Sequence, residues 1–306
     1  MRPRAPLIHA VLFLLTGLLC LPASAATPEI LVSIKPLHSL VSQLTDGIST
    51  PRLLLSGQQT AHRFQLRPSQ KRMLKHADIF FYSSHSIETF VSTLKQDEPR
   101  LQFVELSKIE GLHTLTARRL HHHASHSSDN RHKQTIDGHI WLSIDNARQI
   151  SRHVTTRLAT MDPAHAPQYW QNLQQLLSRL DQLQKKLHAQ LETVKDTPFL
   201  VYHDAFQYFE TENKLSGAFF VTTSPDHRPG IKRLKELRQL IQDRAIRCIY
   251  YEPPGIPPLI NTLADNMPIQ LNPLDPAGTQ FKAGKQHYFL LMQDISQSLY
   301  NCLSKE

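Results

Sequence analysis

The stretch PQYWQNLQQLLSRLDQLQKKLHAQLETV, residues 167–194, decides the fold. Apolar residues recur in it at steps of three and four, which is the spacing of one face of an α-helix. A helix of about thirty residues spans about 40 Å. A coiled coil is the alternative, but the pattern covers too few heptads, so we predict a stiff internal brace between two lobes. The residues of the repeating face are Leu173, Leu176, Leu177, Leu180, Leu183, Leu187 and Leu191.

Short β-rich runs alternate with helical patterns on both sides of this stretch. The runs lie at 30–36, 52–55, 79–82 and 102–106 before it, and at 199–202, 217–221, 248–251 and 269–271 after it. Strands alternating with helices in this way indicate parallel sheets. We therefore predict an α/β fold of two similar lobes, each a parallel β-sheet flanked by helices. One long rigid helix joins them, and a ligand site is expected in the interlobe cleft at the strand ends.

The N-terminus predicts an export signal in residues 1–25. Arg2 and Arg4 precede an apolar run at 7–21, and Ala23-Ser24-Ala25 offers a small-x-small cleavage pattern. The run is too short for a comfortable membrane span. The expected division is then a signal peptide at 1–25, an N-terminal lobe at 26–162, a connecting helix at 163–195 and a C-terminal lobe at 196–306, with a periplasmic location.

Charge and cysteine content limit the classes of partner. The formal charge of +8 falls to +6 when the signal is removed, and no run of five basic residues occurs, so nucleic-acid binding is not supported. Two cysteines, Cys248 and Cys302, remain after cleavage. An even pair in an exported protein favours one disulfide, with two buried free thiols as the alternative.

A histidine-rich segment stands out in the middle of the N-terminal lobe. Six of the chain's eighteen histidines fall between 113 and 132, within a predicted loop at 113–136. Imidazole is the commonest side-chain metal ligand, so metal, first of all Zn²⁺, is the leading hypothesis, and a solvated polar loop is the alternative. The candidate accessory ligands for weakly held zinc are His121, His122, His123, His126 and His132.

Three single histidines lie where strand-end loops face the predicted cleft. His62 follows the second strand, His139 follows the turn at 137–138, and His203 directly follows the strand FLVY. Each alone is typical of a surface or capping residue. Together they form a three-imidazole set drawn from both lobes, which is a ligand set that Zn²⁺ favours.

At these residues the chain resembles the zinc-specific periplasmic binding proteins of ABC importers, the ZnuA-like group of the cluster A-I family. The matching segments, in family order, are SIKPLHSLV (33–41), HRFQLRPSQ (62–70), ADIFFY (77–82), GHIWLSIDNA (138–147), YHDAFQYF (202–209), YYEPP (250–254) and LDPAGT (274–279). The resemblance implies that His62, His139 and His203 bind Zn²⁺. It also implies an ABC permease as the partner of a monomeric binding protein.

The resemblance leaves the fourth zinc ligand open. Asp275 is implied as a fourth ligand or as a close neighbour of the metal, and the alternative is a turn aspartate beside Pro276. Some zinc relatives carry a glutamate just before the first ligand histidine, where this chain has Ala61. Glu252 and His38 lie in matching segments and are interpreted as structural, or for Glu252 as permease-facing.

The predicted function is high-affinity capture of Zn²⁺ in the periplasm and its delivery to the permease. The chain lacks H-E-x-x-H, a Walker A loop and C-x-x-C, so no standard enzyme motif is present. The rival hypotheses are a zinc hydrolase and a free zinc buffer or metallochaperone. Deleting residues 113–132 is expected to leave one tight site intact.

Overall fold

The computed structural model of the protein describes residues 27–56, 64, 66–119, 135–225 and 229–305. The predicted signal at 1–25 lies outside these residues. Within these ranges, no helix is long and apolar enough to cross a membrane.

The N-terminal lobe contains a four-stranded parallel sheet. Its strands are β1 (Ile30–Val32), β2 (Arg52–Leu53), β3 (Ile79–Tyr82) and β4 (Gln102–Glu105), in the order β2-β1-β3-β4. The helices are α1 (Lys35–Leu44), α2 (Pro68–His76), α3 (Val91–Asp97) and α4 (Ile144–Met161). Strand β3 is buried at every residue, as expected for a parallel strand covered on both faces.

The C-terminal lobe repeats this arrangement. Its strands are β5 (Leu200–His203), β6 (Phe219–Thr222), β7 (Cys248–Tyr251) and β8 (Gln270–Pro273), and the order β6-β5-β7-β8 matches that of the first sheet. The helices are α6 (Gln207–Glu212), α7 (Ile231–Asp243), α8 (Pro258–Ala264) and α9 (His287–Leu303). Two parallel sheets of the same order confirm the predicted α/β class with two similar lobes.

The quoted stretch forms the long helix α5 (Ala166–Leu191), which has 26 residues. All seven leucines of its repeating face are buried. The helix packs against α1 and α4 of the first lobe and against α9, the last helix of the chain. Because α9 also packs on α1, one continuous apolar cluster contains residues of both lobes. The long helix therefore joins the lobes through a packed core rather than through a free linker.

After the run at 79–82 the sequence also predicts a helix at 85–94, and the structure differs from this prediction. The helix begins only at Val91, and the preceding loop folds around Glu88, which is 0% exposed. Glu88 Oε2 accepts hydrogen bonds from the backbone N–H groups of Ser83 (2.6 Å) and Ser84 (3.0 Å). These bonds turn the chain back on the end of β3, and a helix starting at His85 would not make them.

Two further features hold helices of the fold in place. Ser143 caps α4, since its Oγ accepts a hydrogen bond from the Asn146 backbone N–H at 3.1 Å. Cys248 and Cys302 form the predicted disulfide, with an S–S distance of 2.04 Å. The disulfide attaches α9 to strand β7.

Candidate metal centre

His139 lies just before a short 3-10 turn, Ile140–Leu142, and is 5% exposed. Its Nδ1 is 2.7 Å from Asp137 Oδ1, and the same oxygen accepts the His139 backbone N–H at 3.0 Å. The Trp141 ring packs edge-on against the imidazole, with centroids 5.4 Å apart. The carboxylate and the indole together fix the orientation of this imidazole ring.

The backbone beside His139 is held in place from both lobes. Ser83 Oγ donates to the Gly138 carbonyl at 2.6 Å, and Tyr208 Oη donates to the Asp137 carbonyl at 2.8 Å. A Cβ atom at position 138 would lie 2.6 Å from Cγ1 of Ile87, so this close approach requires glycine. The end of β3 and helix α6 thus position the same short segment.

His203 is the last residue of β5 and is 2% exposed. Its Nδ1 is 2.7 Å from Oε1 of Glu252, the residue that follows the neighbouring strand β7. Burial opposes protonation of His203. The charges of Glu252, Asp204 and Asp137 together with the Glu252 hydrogen bond outweigh burial, so the pKa of His203 is raised.

The two histidines meet although they come from different lobes. Their ring centroids are 5.0 Å apart, and the ring planes are inclined by 70°. Each Nδ1 lies against a carboxylate, so the tautomer with hydrogen on Nδ1 presents the Nε2 lone pair to a metal. Metal-binding histidines typically donate their second N–H to a carboxylate in this manner.

Asp275 lies in the loop after β8 and is 8% exposed. Its Oδ1 accepts the Ala277 N–H at 2.8 Å, and its Oδ2 accepts the Thr279 N–H and hydroxyl, both at 2.6 Å. These are the bonds of a turn aspartate, the alternative that the sequence left open. Trp141 Nε1 donates to the Pro276 carbonyl at 2.8 Å, so the loop is tied to the His139 segment.

The described residues supply only part of the predicted ligand set. Among them, no three His, Cys, Asp or Glu side chains form a group that could hold a metal ion. The predicted ligand His62 and the predicted accessory ligands lie outside the described residues; the latter are His121, His122, His123, His126 and His132.

Other histidines have structural partners. His38 Nε2 is 3.0 Å from the Pro51 carbonyl, as expected for a structural residue. His287 Nε2 is 2.9 Å from the Ala277 carbonyl. His85 Nδ1 is 3.1 Å from Oγ of Ser92 at the surface.

Two carboxylates at the centre, Asp137 and Glu252, were not identified as such from the sequence. Glu252 was interpreted as structural or permease-facing, yet it contacts His203 directly. The sequence contained a signal for Glu252, because β5 ends in a histidine, β7 is followed directly by a glutamate, and the ends of neighbouring parallel strands share one edge of a sheet. Asp137 could have been identified from its position two residues before His139.

The family model for ZnuA, described as "Zinc-uptake complex component A periplasmic", matches residues 30–302. The chain belongs to the ZnuA family. A curated ZnuA-family relative, the high-affinity zinc uptake system protein ZnuA of Brucella suis, is 31% identical over 309 residues, covering 90% of this chain and 92% of that protein. The protein of the same name from Yersinia pestis is 28% identical and covers 94% of each.

The fold of this chain is similar to that of a solved ZnuA structure. A crystal structure of ZnuA has a TM-score of 0.76 with 19% identity, covering 90% of this chain and 99% of that one. This likeness concerns the fold, and it agrees with two parallel sheets joined by one long helix.

Proposed function

We propose that this chain is the periplasmic, high-affinity zinc-binding component of an ABC importer, which captures Zn²⁺ and delivers it to a membrane permease. The observation that carries the proposal is the contact between His139 and His203 from different lobes, each ring backed by a carboxylate. Imidazoles supported in this way are typical Zn²⁺ ligands. The relatives that are named as zinc uptake proteins support the same cargo.

In this proposal His62, His139 and His203 supply three nitrogen ligands. Asp275 is either the fourth ligand or a residue that only shapes its own loop. The chain binds and releases an ion and forms no covalent bond with it, so no catalytic residue is assigned.

The test is a competition titration of purified, untagged protein with Zn²⁺ and a chromophoric chelator. His62→Ala, His139→Ala and His203→Ala should each abolish the tight site, whereas His188→Ala, on the exposed face of α5, should not. Stoichiometric zinc retained by the triple variant of the first three would overturn the assignment. Asp275→Asn is compared with Thr279→Ala, which removes one bond of the turn and keeps the carboxylate. A ligand role of Asp275 predicts loss of zinc affinity in Asp275→Asn alone, and a role in the turn predicts similar losses in both.

Delivery to a permease is tested separately from binding. Cells lacking this chain should fail to grow on scarce zinc, and loss of the permease together with it should add no further defect. A free zinc buffer would instead give a growth defect that adds to that of the permease.

We further propose that residues 1–25 are a cleaved signal, that 26–162 and 196–306 are lobes joined by 163–195, and that the binding protein is a monomer.

The histidine-rich segment is proposed to hold zinc weakly beside the tight site. The deletion that tests this is narrower than 113–132, because the backbone of His113 pairs with the Asn146 side chain and Leu115 N–H donates to Tyr208 Oη. Removing 121–133 should spare the tight site and abolish only the weak ones.

A further inference from the structure

A short antiparallel ribbon, made by one bridged pair of residues, lies at the base of the histidine-rich segment. Thr116 and Ile136 pair in antiparallel fashion, with the Ala117 N–H donating to the Thr135 carbonyl at 2.9 Å and the Asp137 N–H donating to the Leu115 carbonyl at 2.9 Å. One side of the ribbon ends at Asp137, the carboxylate beside His139. The other side continues into Arg118, which points toward the C-terminal lobe.

Arg118 joins this ribbon to the residue that follows His203. Its Nε donates to both carboxylate oxygens of Asp204, at 2.9 and 3.0 Å, and Nη2 donates to the same carboxylate. Its Nη1 donates to Oε2 of Glu210 on α6 at 2.9 Å. The guanidinium lies over the Phe220 ring, 5.3 Å from the centroid. One arginine therefore neutralises two carboxylates whose side chains are only 4% and 5% exposed.

The position of Asp204 gives this ion pair a consequence for the metal. Asp204 is adjacent to His203 in sequence, and its charge acts on the His203 imidazole. Asp204, Arg118, Asp137 and His139 line one cavity of about 110 Å³. Asp204 thus places carboxylate oxygens, which are possible metal ligands, at the edge of a nitrogen-rich site. The guanidinium of Arg118 donates hydrogen bonds to both of these oxygens.

We propose that Arg118 is a selectivity and positioning residue, which withholds the Asp204 carboxylate from the bound metal and keeps the site nitrogen-rich. Imidazole ligands suit Zn²⁺, whereas carboxylate ligands suit Mn²⁺. Engaging Asp204 therefore favours zinc over manganese. The same contacts align the Asp137–His139 segment with the end of β5. The inference rests on the proposed zinc-binding function.

The test compares the affinities for Zn²⁺ and Mn²⁺ in chelator-competition titrations of four variants. Arg118→Met frees Asp204, and it should lower zinc affinity about tenfold or more, as loss of a group that orients a metal ligand typically does. It should also raise the affinity for Mn²⁺. The ratio of zinc affinity to manganese affinity should therefore fall by a larger factor than the zinc affinity itself. Adding Asp204→Asn to Arg118→Met should reverse the gain in manganese binding.

A matched control and a milder variant complete the design. Arg148 contacts the carboxylates of Asp145 and Asp181 on helices α4 and α5, so Arg148→Met removes a similar arginine elsewhere. It should lower stability and leave the metal ratio unchanged. Arg118→Lys keeps the positive charge but lacks the planar guanidinium that binds both oxygens of a carboxylate. It should therefore give a zinc-to-manganese affinity ratio between those of Arg118→Met and the unaltered protein. It is also the variant to measure if Arg118→Met does not fold.

Two results have distinct meanings. A zinc-to-manganese ratio in the Arg118 variants equal to that of the unaltered protein would overturn the inference while leaving the zinc site in place. Absence of tight zinc binding in the unaltered protein would instead overturn the proposed function itself.

Discussion

Replacing the buried carboxyl of Glu88 by the amide of glutamine should remove a pH dependence from the stability of the fold. Glu88 supports the loop at the end of β3, whose Ser83 hydroxyl binds the Gly138 carbonyl next to His139. Burial raises the pKa of Glu88 from 4.5 to about 7, although the hydrogen bonds from the Ser84 and Ser83 backbone N–H groups oppose the rise.

The magnitude follows from the two pKa values. A carboxyl with a raised pKa in the folded state favours folding when protonated, and this stabilisation is lost as pH rises from about 4.5 through about 7. The full difference corresponds to roughly 3 kcal/mol, of which roughly 2 to 3 kcal/mol falls between pH 5 and pH 8. The glutamine oxygen can accept both backbone N–H groups, so Glu88→Gln keeps these two hydrogen bonds.

The assay is urea unfolding of the metal-free protein, with chelator present, at pH 5 and pH 8. Relative to the unaltered protein, Glu88→Gln should gain roughly 2 to 3 kcal/mol more at pH 8 than at pH 5. Glu110→Gln, at an exposed glutamate of the same lobe, should give equal differences at both pH values. An equal difference at both pH values for Glu88→Gln as well would refute the reasoning, because the buried carboxyl would then titrate as it does in the unfolded chain.

Three further changes test the surroundings of the site. Glu252→Gln should weaken zinc binding about 10- to 100-fold. Because Glu252 raises the pKa of His203, the zinc affinity of the variant should also begin to fall at a lower pH than that of the unaltered protein. Zinc titrations from pH 5.5 to 8 would check both results. Gly138→Ala should cost about 1 to 3 kcal/mol through the clash with the β3 loop, while Gly230→Ala, with no atom within 4 Å of its Cβ, should unfold like the unaltered protein. Replacing both cysteines of the disulfide by alanine should cost about 2 to 4 kcal/mol without changing zinc affinity, and an unchanged urea midpoint would count against a stabilising disulfide.

The elements of the fold were largely readable because they are local patterns. The leucines of α5 repeat at helical spacing, and the run at 79–82 is apolar throughout, as a strand covered on both faces must be. The prediction that a helix starts at His85 was wrong, because Glu88 accepts hydrogen bonds from backbone N–H groups of the preceding loop and α3 begins only at Val91. Hydrogen bonds that a loop backbone donates to a following side chain leave no periodic pattern in the sequence.

Part of the candidate site could also be predicted. His139 and His203 each follow a feature that a sequence exposes, a turn or a strand, and strand ends of parallel sheets gather at one edge. By itself the sequence therefore determined the α/β class, the long helix and the types of candidate metal-binding residue.

Only the tertiary structure decided which side chains contact and orient those histidines. Glu252 is 49 residues from His203, and Arg118 is 86 residues from Asp204. Such pairs are set by which strands are neighbours and by how a ribbon from one lobe reaches the other. The orientation of an imidazole and the engagement of a nearby carboxylate depend on these distances in space, and separation along the chain does not fix them.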